Sequence, residues 1–312
     1  MTDSQEQRKY RLITRADFDG VVSGVLFREL DIVDDVVFVE PKAMQDGDVP
    51  VSDNDITSNL PFVPGVHLCF DHHLSEAKRV ADQDNRVIDP KAPSAARVVF
   101  NHYGGKARFP NIPDDLLAAV DKADSAQYSE DEVLAPTGWT FLNFLIDPRT
   151  GLGRFKDFSI PTQELMKDLM FYCRNHSVDE ILHLPDVEER RHLYYEHEER
   201  AEMQMRRIAK VLGNVVVLDY RGEDIIFASN RFMVYALFPE CNVSIHILPN
   251  DGSNGRVLLA VGASIINRSL KTSIGPLMLT FGGGGHAAAG TCQVQPESVD
   301  STLDAVVKAL QG

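Results

Sequence analysis

The chain has little that could cross-link it. Its four cysteines, Cys69, Cys173, Cys241 and Cys292, lie far apart with no Cys-x-x-Cys pair. That argues against a disulfide framework or a structural zinc site and makes a reducing cytoplasm the expected compartment. No apolar run approaches the roughly 18 residues that span a bilayer, and the N-terminal MTDSQEQRKYRL has no apolar stretch to act as a secretion signal. No membrane partner is expected. Positive charge is scarce as well: 31 Lys and Arg against 46 Asp and Glu give a formal net charge of -15. A protein that coats duplex nucleic acid needs the opposite sign, so a long duplex partner is not expected either. No clear run of aromatics interleaved with basic residues marks a single-strand groove. Several common motifs are missing. There is no GxxxxGK[ST] phosphate loop and no GxSxG elbow, Gly151-Leu152-Gly153 lacks the third glycine of a dinucleotide fingerprint, and His197-Glu198 is not followed by a second histidine at zinc-protease spacing.

What is present is an ordinary soluble composition, 44% hydrophobic and 25% charged over 312 residues. It excludes a disordered chain or a coiled-coil rod and suggests about two domains. The first 185 residues alternate short apolar strands with helical stretches. Tyr10–Thr14, Val36–Glu40 and Val66–Phe70 read as strands, and Pro93–Tyr103 and Pro113–Ala123 as helices opened by proline. Such alternation implies a mostly parallel sheet flanked by helices, with ligands at the carboxyl ends of the strands. Residues 186–212 contain neither proline nor glycine and read as one charged connecting helix, with Glu196/Arg200 and Glu202/Arg206 at i,i+4 spacing. Residues 213–312 read as a smaller α/β lobe, with NVVVLDY and DIIFAS as a strand pair and a turn-rich PNDGSNG between two later strands.

Three segments carry chemistry. Asp17-Phe18-Asp19-Gly20 puts two carboxylates just past a strand end, where hard divalent cations find oxygen ligands; a polar turn ending in glycine would look the same. Asp71-His72-His73 puts three ligand-capable side chains directly after an apolar strand, a mixture that suits manganese, iron or zinc better than magnesium. Phe281-Gly282-Gly283-Gly284-Gly285-His286 leads into Ala287-Ala288-Ala289-Gly290, and its glycines let backbone N–H groups approach an anion.

In this order the three segments closely resemble the DHH phosphoesterase family with its DHH-associated C-terminal domain, over nearly the whole chain. Exopolyphosphatases, manganese pyrophosphatases, single-strand exonucleases, small-oligonucleotide hydrolases and cyclic-dinucleotide phosphodiesterases belong to it. The resemblance implies two lobes with the active site in the cleft between them. It also implies two Mn2+ ions per chain, other divalent cations being acceptable, and hydrolysis of a phosphoester or phosphoanhydride by a metal-activated water. Asp17, Asp19, Asp55, His72 and Asp124 would hold the metals, with Asp53 and Asp121 as rivals to Asp55 and Asp124. His73 would act near the substrate phosphate and Asp71 would support it from behind. Gly282, Gly283, Gly284, Gly285, His286 and Arg268 would bind the substrate. Many members carry a histidine, or in the exonucleases an aspartate, shortly before the first carboxylate pair as a metal ligand. Here Arg15 stands two residues before Asp17. A guanidinium cannot ligate a cation, which leaves three readings: a first metal held weakly or completed by water, an Arg15 that clamps a substrate phosphate, or a degraded site. The expected partner is a small phosphorylated substrate or short oligonucleotide, and a homodimer is left open. The alternative is a catalytically impaired protein that senses a nucleotide or phosphate ligand.

Overall fold

The computed structural model describes residues 8–155, 158–249 and 255–311. They divide into two compact units, residues up to 127 with 137–192, and residues 128–136 with 193 onward. Among them no helix is long and apolar enough to cross a membrane.

The first unit is built on β1 (Tyr10–Thr14), β2 (Val33–Phe38), β3 (Asp55–Ser58), β4 (Leu68–Asp71) and β5 (Arg86–Ile88), in the order β2-β1-β3-β4-β5. Every pairing is parallel. All five strands therefore end on the same edge, and the loops that leave them share it. α1 (Phe18–Glu29), α2 (Pro41–Asp46), α3 (Leu74–Arg79), α4 (Ala95–His102) and α5 (Asp114–Asp124) follow the strands. The short α6 (Glu130–Leu134) belongs to the second unit, and α7 (Gly138–Ile146), α8 (Thr162–Asn175) and α9 (Val178–Leu182) return to the first. α1 is buried nearly all round, by Phe18, Val21, Val22, Val25 and Leu26, and packs on α4, α5 and α8. Its Gly24 makes the contact with α8 close: a Cβ there would lie 2.3 Å from the Met170 sulfur. An apolar face on every side of a helix is what a position deep in an α/β layer requires.

α10 runs from Pro185 to Ile208 and stops short of the expected end at residue 212. Ala209–Leu212 is instead a strand, β6, that turns through Gly213-Asn214 into the antiparallel β7 (Val215–Asp219). Gly213 has φ 62, the left-handed value a two-residue hairpin takes at its first turn position. The expected strand at DIIFAS, residues 224–229, does not form; β7 pairs with β6 and β8 and has no edge left for it. After α11 (Met233–Leu237) come β8 (Val243–Pro249) and β9 (Val257–Ala263), and most of the expected PNDGSNG turn between them lies outside the described residues. α12 (Ile274–Leu279), β10 (Gly284–Gly285), β11 (Ala289–Val294) and α13 (Val299–Gln311) complete a mixed sheet in the order β10-β11-β9-β8-β7-β6. Val217, Ile245, Leu259, Val261, Met278 and Val306 fill its core.

Candidate active site

The carboxyl edge of the parallel sheet collects the chemistry. Asp17 caps α1 and accepts from Gly20 N at 3.0 Å. Gly20 is needed there, because a Cβ would stand 2.0 Å from the Arg15 carbonyl oxygen. Asp19, 2% exposed, turns the other way, and its two oxygens accept from Ala95 N and Ala96 N at 2.9 and 2.8 Å. It thus rests on the positive N-terminal end of α4. Asp71 ends β4, and its Oδ1 accepts from His72 N at 2.9 Å and faces His73 Nδ1 at 2.7 Å. An ionised Asp71 can only accept, so the proton on that side of His73 sits on Nδ1.

His72 is the sharpest piece. Its Nδ1 lies 3.2 Å from the Ala92 carbonyl oxygen, which can only accept. Nδ1 therefore carries a hydrogen, and in the neutral ring Nε2 carries the lone pair, the arrangement of a metal-ligating histidine. Nε2 is buried, and Asp124 Oδ2 lies 2.8 Å from it. Asp19, His72 and Asp124 each present a ligand atom within 4.8 Å of the others.

The electrostatics match a cluster short of positive charge. Burial pushes the Asp19 carboxyl up to about 8, and the charge on Asp124 adds to the effect. Burial raises Asp17 too, with Arg15 opposing it. Burial also works against a charged His72, but the Asp124 carboxylate overrides it and carries the ring up to about 9. Burial disfavours the Asp124 carboxylate as well, yet its contact with His72 holds it below the ordinary carboxyl range. Protons are drawn in where a cation would serve. Two carboxylates and an imidazole lone pair are a donor set that fits a divalent ion.

Two expected ligands lie elsewhere or have been displaced in role. Asp55 does not reach the cluster. It opens β3, whereas the site gathers where β3 closes at Ser58, and it is bound by Arg11 Nε at 2.7 Å and Ser52 N at 2.6 Å. Its rival Asp53 is exposed and paired with Arg8. Asp121, the rival to Asp124, takes Ser94 Oγ at 2.8 Å and Arg97 Nε at 2.9 Å and ties α5 to α4. The residue at the carboxyl end of β3 is Asn59, which the motif reading passed over. It is 2% exposed, has φ 59, and its Nδ2 donates to Asp17 Oδ1 at 3.1 Å and approaches Oδ2 at 3.3 Å. Arg15 Nε lies 3.3 Å from the same carboxylate. A second omission is Arg149, on the turn after α7. Asp147 Oδ1 holds its Nε at 2.7 Å, and its charge acts on both Asp17 and Asp124. Counting one residue past the end of β3 would have found Asn59; nothing in the local sequence marks Arg149.

In the second unit the glycine segment is tight. Gly283 and Gly285 have no room for a Cβ, which would lie 1.9 Å from Thr291 O and 2.2 Å from Ala289 O. These two glycines are explained by backbone packing on β11. At Gly282 and Gly284 a Cβ would meet open space, though Gly282 has φ 73. His286 N donates to Ala289 O at 2.7 Å and leaves its ring exposed, and Arg268 Nε donates to Ile265 O at 2.8 Å.

No protein-family model and no curated protein matches the sequence. Among solved structures, the chain is similar to a pGpG-specific phosphodiesterase, PggH from Vibrio cholerae, with 50% identity over 96% of this chain and 99% of that one and a TM-score of 0.84. The chain belongs to the DHH phosphoesterase family. It is a phosphoesterase of that type, and the DHH motif itself is Asp71-His72-His73. Two structures share the fold at low identity. RecJ from Thermus thermophilus in complex with Mn2+ is 13% identical with a TM-score of 0.57, covering 99% of this chain and 53% of that one. An exonuclease RecJ bound to manganese is 14% identical with a TM-score of 0.56, covering 98% and 91%.

Proposed function

We propose that this DHH phosphoesterase hydrolyses the phosphodiester of a short linear dinucleotide of the pGpG type, water adding across one P–O bond to give two mononucleotides. The observation that carries the reading is the buried His72 Nε2 gathered with Asp19 and Asp124, in a chain half identical to a pGpG phosphodiesterase. These three residues would hold a divalent cation, with manganese favoured by the mixed imidazole and carboxylate set. Such an ion supplies Lewis-acid activation of water and offsets charge on the phosphate.

The two-ion arrangement implied by the resemblance draws on Asp55, which is committed to Arg11. The reading therefore takes one ion at Asp19, His72 and Asp124. Arg15 and Arg149 add positive charge beside it, and their fork geometry suits phosphate oxygens. Asp17, fixed by Gly20, Asn59 and Arg15, orients Arg15 toward that space. His73, held by Asp71, moves a proton to the leaving oxygen. Gly282, Gly284, His286 and Arg268 of the second unit are the proposed contacts to a further phosphate, with Gly283 and Gly285 shaping the turn.

The test is hydrolysis of pGpG by the purified chain with Mn2+ and with a chelator. Activity appears with Mn2+, vanishes with chelation, and falls at least about a hundredfold in Asp19→Asn and His72→Ala. Parent-like rates in both variants would refute the assignment.

A further inference from the structure

A cavity of about 340 Å³ opens beside the metal-binding loop, wholly within the first unit. That volume falls in the range of small-molecule sites. One wall is Ala16, the residue between Arg15 and Asp17. Apolar side chains that are almost fully buried, Leu145, Ile146, Leu152 and Met166, line it. Glu40 lines it too, placed there because β2 lies next to β1 and ends on the same edge. Glu40 sits at the N-cap position of α2 but its side chain makes no capping hydrogen bond, and it is exposed. Gln163 brings an exposed amide to the same cavity.

We propose that this cavity is a guanine-binding pocket, with Glu40 reading the base; the proposal rests on the dinucleotide reading above. The apolar part of the wall gives a flat ring dry contact. A carboxylate at the wall accepts from two adjacent donors at once. Guanine offers that pair, N1–H and N2–H, on one edge. Adenine offers one donor there beside the N1 lone pair, which a carboxylate oxygen repels. Because Ala16 joins Arg15 to Asp17, a base in the cavity keeps its phosphate near the proposed ion, Arg15 and Arg149. Base and phosphate are then gripped from one loop.

Binding of mononucleotides reads the pocket without turnover. The full chain is titrated calorimetrically with GMP and with AMP in the absence of divalent metal. GMP binds about tenfold or more tightly than AMP, and Glu40→Gln cuts that ratio to about threefold or less, as loss of a paired donor–acceptor contact requires. Gly153→Trp is the second variant. Gly153 lines the cavity and a Cβ there meets open space, so the indole fills the pocket without backbone strain and abolishes GMP binding. A parent that binds both nucleotides equally or binds neither overturns the pocket, as does Glu40→Gln keeping the parent's ratio. Hydrolysis of pGpG is measured alongside. If hydrolysis is absent while the GMP preference depends on Glu40, the phosphodiesterase reading falls and the pocket stands. If hydrolysis is present while the preference ignores Glu40, the pocket falls and the reading stands.

Discussion

Replacing Asn59 with aspartate tests the charge balance of the site. Asn59 Nδ2 contacts both Asp17 oxygens, at 3.1 and 3.3 Å, in a buried position. Asn59→Asp removes a hydrogen bond to a charged group, worth roughly 1.5–3 kcal/mol, and sets two carboxylates against each other. They cannot both ionise at that distance. Keeping one of them protonated at pH 7 costs roughly 4 kcal/mol from an ordinary carboxyl value, which caps the penalty. The new acid can donate to Asp17 and recover part of the lost bond. The metal-free variant should therefore lose about 2–4 kcal/mol at pH 7. The loss should shrink at pH 5, where protonation costs less. A divalent ion bound by the added carboxylate stabilises the folded state and returns much of the difference. The assay is urea unfolding of parent and variant with chelator and with Mn2+. A loss under about 0.5 kcal/mol with chelator, or a loss unchanged by Mn2+, refutes the argument that the site is limited by uncompensated negative charge.

Further outcomes follow from other residues. Burial holds His246 down to about 4, and its ring stacks on Tyr220 with centroids 6.0 Å apart. Its folded value lies below the unfolded one, so this contribution is complete above pH 6.5 and is lost as pH falls toward 4. It amounts to roughly 3 kcal/mol at most, and His246→Gln should flatten the acid limb of a stability–pH curve. Gly20→Ala forces its Cβ into the Arg15 carbonyl oxygen and should weaken Mn2+ binding at least about tenfold by displacing the Asp17–Asp19 loop, read by metal titration. Gly24→Ala meets the Met170 side chain, which can move, and should cost about 1–2 kcal/mol of stability with Mn2+ binding kept. Arg149→Ala should raise KM for pGpG about tenfold or more in steady-state kinetics, as loss of a charged phosphate contact does.

Part of the candidate site was legible because parallel strands put the residues that follow them on one edge. Asp17 and Asp19 follow β1 and Asp71 closes β4 with His72 and His73 behind it, so strand patterning plus residue chemistry singled them out, whereas Asp124, at the end of α5, came only from the family resemblance. Asp55 shows the limit. In a four-residue strand a carboxylate at the start and one at the finish look alike in sequence, but they face opposite edges of the sheet. After β3 the family pattern expects a carboxylate, whereas this chain has an amide, Asn59, serving Asp17. Arg149, and Glu40 of the proposed pocket, are brought near these residues only by the crossing of chain segments, which no local pattern encodes. β6 was hidden because Ala209–Leu212 continues the charged helical composition, and the glycine at 213 decides the turn.

The most direct measurement is Mn2+ binding followed by the electron paramagnetic resonance of the free ion, on the parent and four single variants. The parent should hold Mn2+ tightly. Asp19→Asn, His72→Ala and Asp124→Asn should each lose it, and Asp55→Asn should bind as the parent does. Undiminished binding in His72→Ala together with loss in Asp55→Asn would contradict the placement of the metal centre.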